Sequence, residues 1–168
     1  TNILGPLIPD IIQNFELKDL AMAGFIPTSF FLAYAIMSIP AGILIDKYGE
    51  KLVLFTGFLM PFIGTVLFAC FPFYSILLVS SFIIGLGMAM LQTVINPLQR
   101  VVGGEENYAF IAELAQFVFG VASFISPLVY TWLIHALAPG VYQPGKNFLL
   151  DILADITPVT LPWVSLYW

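Results

Sequence analysis

Four apolar runs, at about 22–45, 52–71, 74–99 and 108–135, leave this chain few ways to fold. A helix needs about 20 consecutive, mostly apolar residues to cross a bilayer, and each run supplies that length. In hydrocarbon every backbone N–H and C=O has to be paired inside the protein, so such runs close as helices. Charged residues make up 9% of the sequence and hydrophobic residues 60%, whereas soluble domains carry about 25% charged residues. That balance excludes an ordinary water-soluble domain and predicts an all-α membrane protein forming one transmembrane domain.

The ends and the last third are less regular. Residues 1–15 read as the closing turns of an earlier helix, and 161–168 as the start of another, so the sequence is expected to be a piece cut inside its first and last helices. Nothing in it resembles a secretory signal peptide. The stretch at about 136–160 holds Pro139, Gly140, Pro144, Gly145 and Pro158 around an apolar and acidic segment, Phe148–Ile156. It is expected to be an external loop with a short surface helix.

The formal net charge is −5, from ten carboxylates and five basic residues gathered mostly in the short joints between runs. No basic patch exists to bind nucleic acid. Successive joints must alternate sides of the membrane. Lys47, Lys51 and Arg100 then share one side, against Lys18 and Lys146 on the other, and the positive-inside rule puts the first group in the cytoplasm. Cys70 is the only cysteine, which rules out a disulfide within the chain, and it is expected to be a small buried residue at a helix end.

Polar groups inside the spans carry the functional signal. Gln92, Asn96 and Gln99 lie within a bilayer-length apolar run, and Pro97 leaves the carbonyl of Thr93 without its helical partner. Lipid solvates none of these, so they are expected to face protein or an internal cavity. At helical spacing, Gly85, Ala89, Gln92, Asn96 and Gln99 form one stripe, and Glu113, Gln116, Gly120, Ser123 and Pro127 form another. Gln92, Asn96 and Gln116 are expected around one polar cavity. Gly24, Thr28, Ala35, Ser38 and Gly42 make a weaker stripe in the 22–45 run. Gly57, Pro61 and Gly64 make a small-residue stripe suited to helix packing. The segment 1–15 is also interrupted, by Gly5, Pro6, Pro9, Asp10 and Gln13. Paired interrupted helices in two inverted copies point to a transporter's substrate site.

Gly42-Ile43-Leu44-Ile45-Asp46-Lys47-Tyr48-Gly49-Glu50-Lys51 resembles the loop signature of the major facilitator superfamily, and it falls between the second and third helices, where that family has it. Glu50 departs from the usual basic residue, while Lys51 keeps a positive charge beside it. Within the superfamily, Gly85-Leu86-Gly87 through Asn96-Pro97 and Leu114-Ala115-Gln116 look like the sugar-transporting fucose-proton symporter group. Leu7-Ile8-Pro9 and Ile39-Pro40-Ala41-Gly42-Ile43-Leu44 extend the likeness over most of residues 1–135. The resemblance implies a partial N-terminal six-helix half of a twelve-helix bundle, with a C-terminal half elsewhere in the same protein. It assigns Gln116, Asn96 and Pro97 to the cavity. The group's proton-linked glutamate falls at Gln92, its acidic residue near the end of helix one at about Gly5, and a further cavity asparagine at Phe119.

A secondary transporter of a monosaccharide or similar polyol in a bacterial cytoplasmic membrane is therefore the expected function, working by alternating access between two helical halves. Amides donate and accept hydrogen bonds, as sugar hydroxyls do, and the spans hold no Lys or Arg to attract an anion. Phe30, Phe31, Tyr34 and Phe119 offer apolar surfaces for sugar faces. Glu113, one turn before Gln116, is the candidate to couple H+ or Na+ movement, and the resemblance gives the motif residues Gly42, Asp46, Lys47, Gly49 and Lys51 a conformational role. Asp46 is expected to accept backbone N–H groups at the start of a neighbouring helix. An enzyme would need a nucleophile with a base or a metal cluster, and His135, the only histidine, has no Asp, Glu or Cys at helical spacing. No metal or cofactor is expected. A non-transporting receptor or scaffold, or a carrier of another small neutral solute, are the other readings.

Overall fold

The computed structural model describes residues 9, 11–13, 20–137 and 148–157, and helix dominates them. Helix α1 is Leu20–Tyr48 and α2 is Glu50–Cys70. Helical backbone then continues over Tyr74–Leu137, 64 residues, broken at Gly104 with φ 69° and ψ 163°. At about 1.5 Å per residue an unbroken rod of that length would be roughly three times the hydrocarbon thickness. We name its halves α3 (74–103) and α4 (105–137); α5 is Phe148–Ile156. Gly5, Pro6, Asp10, Lys18 and Lys146 lie outside the described residues, as does the expected helix start at 161–168.

Helix α1 covers the 22–45 run, and its 29 residues reach about 44 Å, enough to span the bilayer with some tilt. The expected polar joint at 100–107 is shorter than the sequence indicated. Helix runs through Arg100 and Asn107, and the direction changes at one residue. Gly49, between α1 and α2, has φ 83° and ψ 159°, almost the geometry of Gly104. Side chains other than hydrogen are strained in this region, so the two joints share one glycine solution to a tight reversal. The motif glycine Gly49 is thereby explained by backbone geometry alone.

Contact registers fix how the helices run. Tyr74 donates from its hydroxyl to the Met22 carbonyl at 2.6 Å, Ser29 donates to the Leu78 carbonyl at 2.8 Å, and Gly85 meets Phe30 and Ala33. Ala41 and Val94 then share a buried cluster with Val53 and Met90. The sequence separation stays near fifty throughout, so α1 and α3 are parallel. Against α2 the order reverses, Gly64 facing Ile84 and Gly57 facing Leu91. Arg100 stacks on Tyr108, 5.2 Å from the ring centre, and Gly103 meets Ile111 beside the joint. Farther from it Gln92 and Phe119 border one cavity and Ile84 and Ser126 the next, so α4 folds back along α3. The Asp46–Lys51 and Gly104 joints consequently lie at one end of the bundle, and Phe71–Phe73 at the other.

The small-residue stripe of α2 has a packing role. A Cβ on Gly87 would meet the Pro61 ring and sit 2.8 Å from the Gly57 carbonyl oxygen. Pro61 has removed the N–H that would otherwise bond that same carbonyl. The Gly57 oxygen instead lies against Gly87, a backbone approach that only a residue without a side chain allows. Elsewhere hydroxyls hide in their own helix: Thr28, Ser38, Thr93 and Thr131 each bond the carbonyl four residues back, at 2.7–2.9 Å.

Several expectations are corrected. Cys70 is exposed at the end of α2 rather than buried. Of the weak α1 stripe, Gly24, Thr28, Ala35 and Ser38 are exposed and Gly42 is half-buried, with nothing within 4 Å of a Cβ at Gly24 or Gly42. Phe55, Phe58, Phe62 and Phe124 also point outward, an apolar exterior that suits lipid and not water. On α5, Phe148, Leu149, Ile152 and Ile156 are exposed while Leu150 is buried.

Candidate functional site: a cleft between the first, third and fourth helices

Because α3 runs parallel to α1 and antiparallel to α4, residues from all three reach one cleft. Its part nearer the Gly104 joint is a cavity of about 390 Å³ lined by Gln92, Ile95, Asn96 and Gln99 from α3 and by Tyr108, Ala112, Glu113, Ala115, Gln116 and Phe119 from α4. Gln92 and Asn96 are one turn apart, as are Glu113 and Gln116, so each helix presents its polar groups on one face. The antiparallel hairpin brings those two faces together. Gln92, Asn96 and Gln116, along with Glu113, therefore border a common space.

A second cavity, of about 450 Å³, continues from the first and shares Gln92 and Phe119 with it. Its other walls are Phe30, Phe31 and Tyr34 from α1, Ile84 and Met88 from α3, and Ala122, Ser123 and Ser126 from α4. Phe30 and Phe31 lie edge to face, with ring centres 5.4 Å apart, an arrangement that the ring quadrupole favours. The structure brings together all four aromatic residues singled out from the sequence. Ile84, Met88 and Ser126 went unnoticed there, although each lies a helical turn or two from a residue that had been chosen.

Both sequence stripes are only partly cleft-lining. Gly85 and Ala89 are buried, Gly85 against the Phe30 carbonyl of α1. Gly120 and Pro127 line neither cavity, and Gly120 has no atom within 4 Å of its Cβ position. Glu113, Gln116 and Ser123 line the cleft beside the 112, 115, 119, 122 and 126 positions. At about 100° per residue Gly120 lies between Gln116 and Glu113 on that same face, and it has no side chain to reach the lining.

Charge at the site is sparse. Glu113 is exposed to the cleft, and among the described residues no cation pairs with it. No Lys or Arg lines either cavity. Among the described residues, no group of three or more His, Cys, Asp and Glu side chains is arranged to hold a metal. At the Gly49 joint Asp46 is exposed, and no hydrogen bond reaches it from any described residue. The expected bond to a neighbouring helix start is therefore not made within these helices. Lys47 lies 5.2 Å from the Tyr48 ring centre, a modest cation–π contact at an exposed position.

Comparison with known proteins agrees with this architecture. An L-fucose-proton symporter of Escherichia coli (strain K12) is 37% identical over 118 residues, 68% of this chain and 27% of that protein. A glucose/galactose transporter of Brucella abortus (strain 2308) is 30% identical over 135 residues, 79% of the chain and 32% of the relative. An L-fucose-proton symporter of Haemophilus influenzae is 27% identical over 109 residues, 63% of the chain and 25% of the relative. The chain thus spans about a quarter to a third of the length of these relatives. No solved structure gives a significant match. The model of the Major Facilitator Superfamily matches residues 1–142, which include every helix that builds the cleft. An all-α membrane bundle with a polar cleft, the signature joint at Gly49 and this match over most of the sequence together establish that the chain belongs to the Major Facilitator Superfamily.

Proposed function

We propose that the chain forms one wall of a secondary transporter that carries a monosaccharide or similar polyol across a bacterial cytoplasmic membrane by alternating access. The observation that carries this reading is the convergence of Gln92, Asn96 and Gln116 on one cleft whose lining contains no basic side chain. Neutral amides match hydroxyls in both donating and accepting, and a cleft with the Glu113 carboxylate and no Lys or Arg offers an anion no positive charge. The sugar-transporter names of the relatives point the same way. The other wall of the cavity would come from a C-terminal half of the same protein, and the coupling ion, H+ or Na+, would use Glu113. The experiment is counterflow in proteoliposomes holding the full-length protein, with L-fucose, D-glucose and D-galactose as labelled solutes. Absence of counterflow for all three would overturn the proposal.

Alanine at Gln92, Asn96 or Gln116 is expected to weaken sugar binding by roughly 0.5–1.5 kcal/mol for each lost neutral hydrogen bond. Equilibrium binding to the purified full-length variants checks this. For Asp46 the expectation is kinetic. Asp46→Asn removes a charge from the joint between α1 and α2, so transport should slow while substrate affinity stays within a few fold, as for a group that biases one conformational state. Equal initial rates at matched expression would count against the conformational role.

A further inference from the structure

The cleft has two chemically distinct compartments, and a simple hexose needs only one of them. The compartment beside the Gly104 joint carries the amides of Gln92, Asn96, Gln99 and Gln116, the Tyr108 ring with its hydroxyl, and the Glu113 carboxylate. The adjoining compartment is walled chiefly by Phe30, Phe31, Tyr34, Ile84, Met88 and Phe119, with Ser123 and Ser126 as its small hydroxyls. Gln92 and Phe119 belong to both, so they stand at the junction. A fully hydroxylated ligand placed in the aromatic compartment would regain fewer of its hydrogen bonds than among the amides, since only Tyr34, Gln92, Ser123 and Ser126 offer polar side-chain groups there. An apolar group placed there would gain contact with rings and aliphatic side chains.

We infer that the cleft accepts a sugar bearing an apolar substituent, such as an alkyl or aryl glycoside, with Phe119 as the residue that determines this specificity. The inference rests on the sugar-transporter reading above and adds the class of substrate. The polyol head sits among the amides and the substituent extends past Phe119 toward Phe30 and Phe31. Phe119 acts by geometry: one face of its position borders the amide compartment and the other extends the aromatic wall. A polar side chain at that place would end the apolar surface at Gln92.

The test is equilibrium binding to the full-length protein in nanodiscs, comparing D-galactose, methyl β-D-galactopyranoside and phenyl β-D-galactopyranoside. The phenyl glycoside is expected to bind about tenfold more tightly than the free sugar, the order of one aromatic contact, with the methyl glycoside between them. F119N should bring the phenyl-to-free affinity ratio close to one, while F119L retains most of it. Free galactose binding as tightly as the phenyl glycoside in the unaltered protein would overturn this inference and leave the sugar-transporter reading standing. Binding of none of the three, together with no counterflow of any sugar, would overturn both. An unchanged ratio in a folded F119N protein would remove Phe119 from the specificity role.

Discussion

Gly87→Ala is expected to destabilise the bundle by about 1–3 kcal/mol, the cost of overpacking a close contact, and larger side chains should prevent stable folding. The added methyl would meet the Pro61 ring and the Gly57 carbonyl, 2.8 Å from the oxygen. Neither neighbour can rotate away. One is a ring fixed to the backbone of α2, and the other is the backbone itself. Gly85→Ala should behave similarly, since the Phe30 carbonyl of α1 lies against it. Gly103→Ala should be milder, because its nearest neighbour is the Cδ1 end of Ile111, which can change rotamer. Gly120→Ala, with open space around it, should be neutral or stabilising by no more than about 1 kcal/mol. Thermal unfolding of the four variants in one detergent gives the ranking. Equal midpoints for Gly87→Ala and Gly120→Ala would contradict the close approach of α2 to α3.

Glu113→Gln is expected to abolish uphill accumulation of substrate while sparing exchange. Glu113 borders the same cavity as Gln92, Asn96 and Gln116 and has no cation paired with it among the described residues. A carboxylate so placed puts the one formal charge of this lining beside the three amides, where an ion coupled to transport would meet it. The glutamine keeps the shape and much of the hydrogen bonding but carries no charge. Exchange needs no ion gradient, so it separates substrate handling from coupling. The comparison is concentrative uptake against counterflow in the same proteoliposomes, under imposed proton and sodium gradients in turn. Uptake against a gradient that survives the substitution would assign coupling to another group.

Much of the fold was legible because a bilayer leaves few choices. Long apolar runs must become helices, and the joints between them are marked by Asp46–Lys51 and Phe71–Phe73. The tight turn at Gly104 was harder to read. Arg100, Glu105, Glu106 and Asn107 look like loop residues by composition, yet charged side chains at a membrane surface are equally compatible with helix ends, and one glycine with φ 69° is enough to reverse the chain.

Residue type and helical spacing by themselves determined that Gln92, Asn96 and Gln116 need shelter from lipid, that Gly57, Pro61 and Gly64 suit a packing face, and that the chain is all-α. Tertiary structure decided which small residues are used. Gly85 and Gly87 are equally small, but one meets α1 and the other α2, while Gly24 and Gly120 meet no described residue. Helical periodicity places side chains around their own axis and is silent on how far that axis is rotated toward its neighbours. That rotation, set by the Gly57–Gly87 contact on one side of α3 and by the hairpin at Gly104 on the other, put Phe119 at the junction of two compartments.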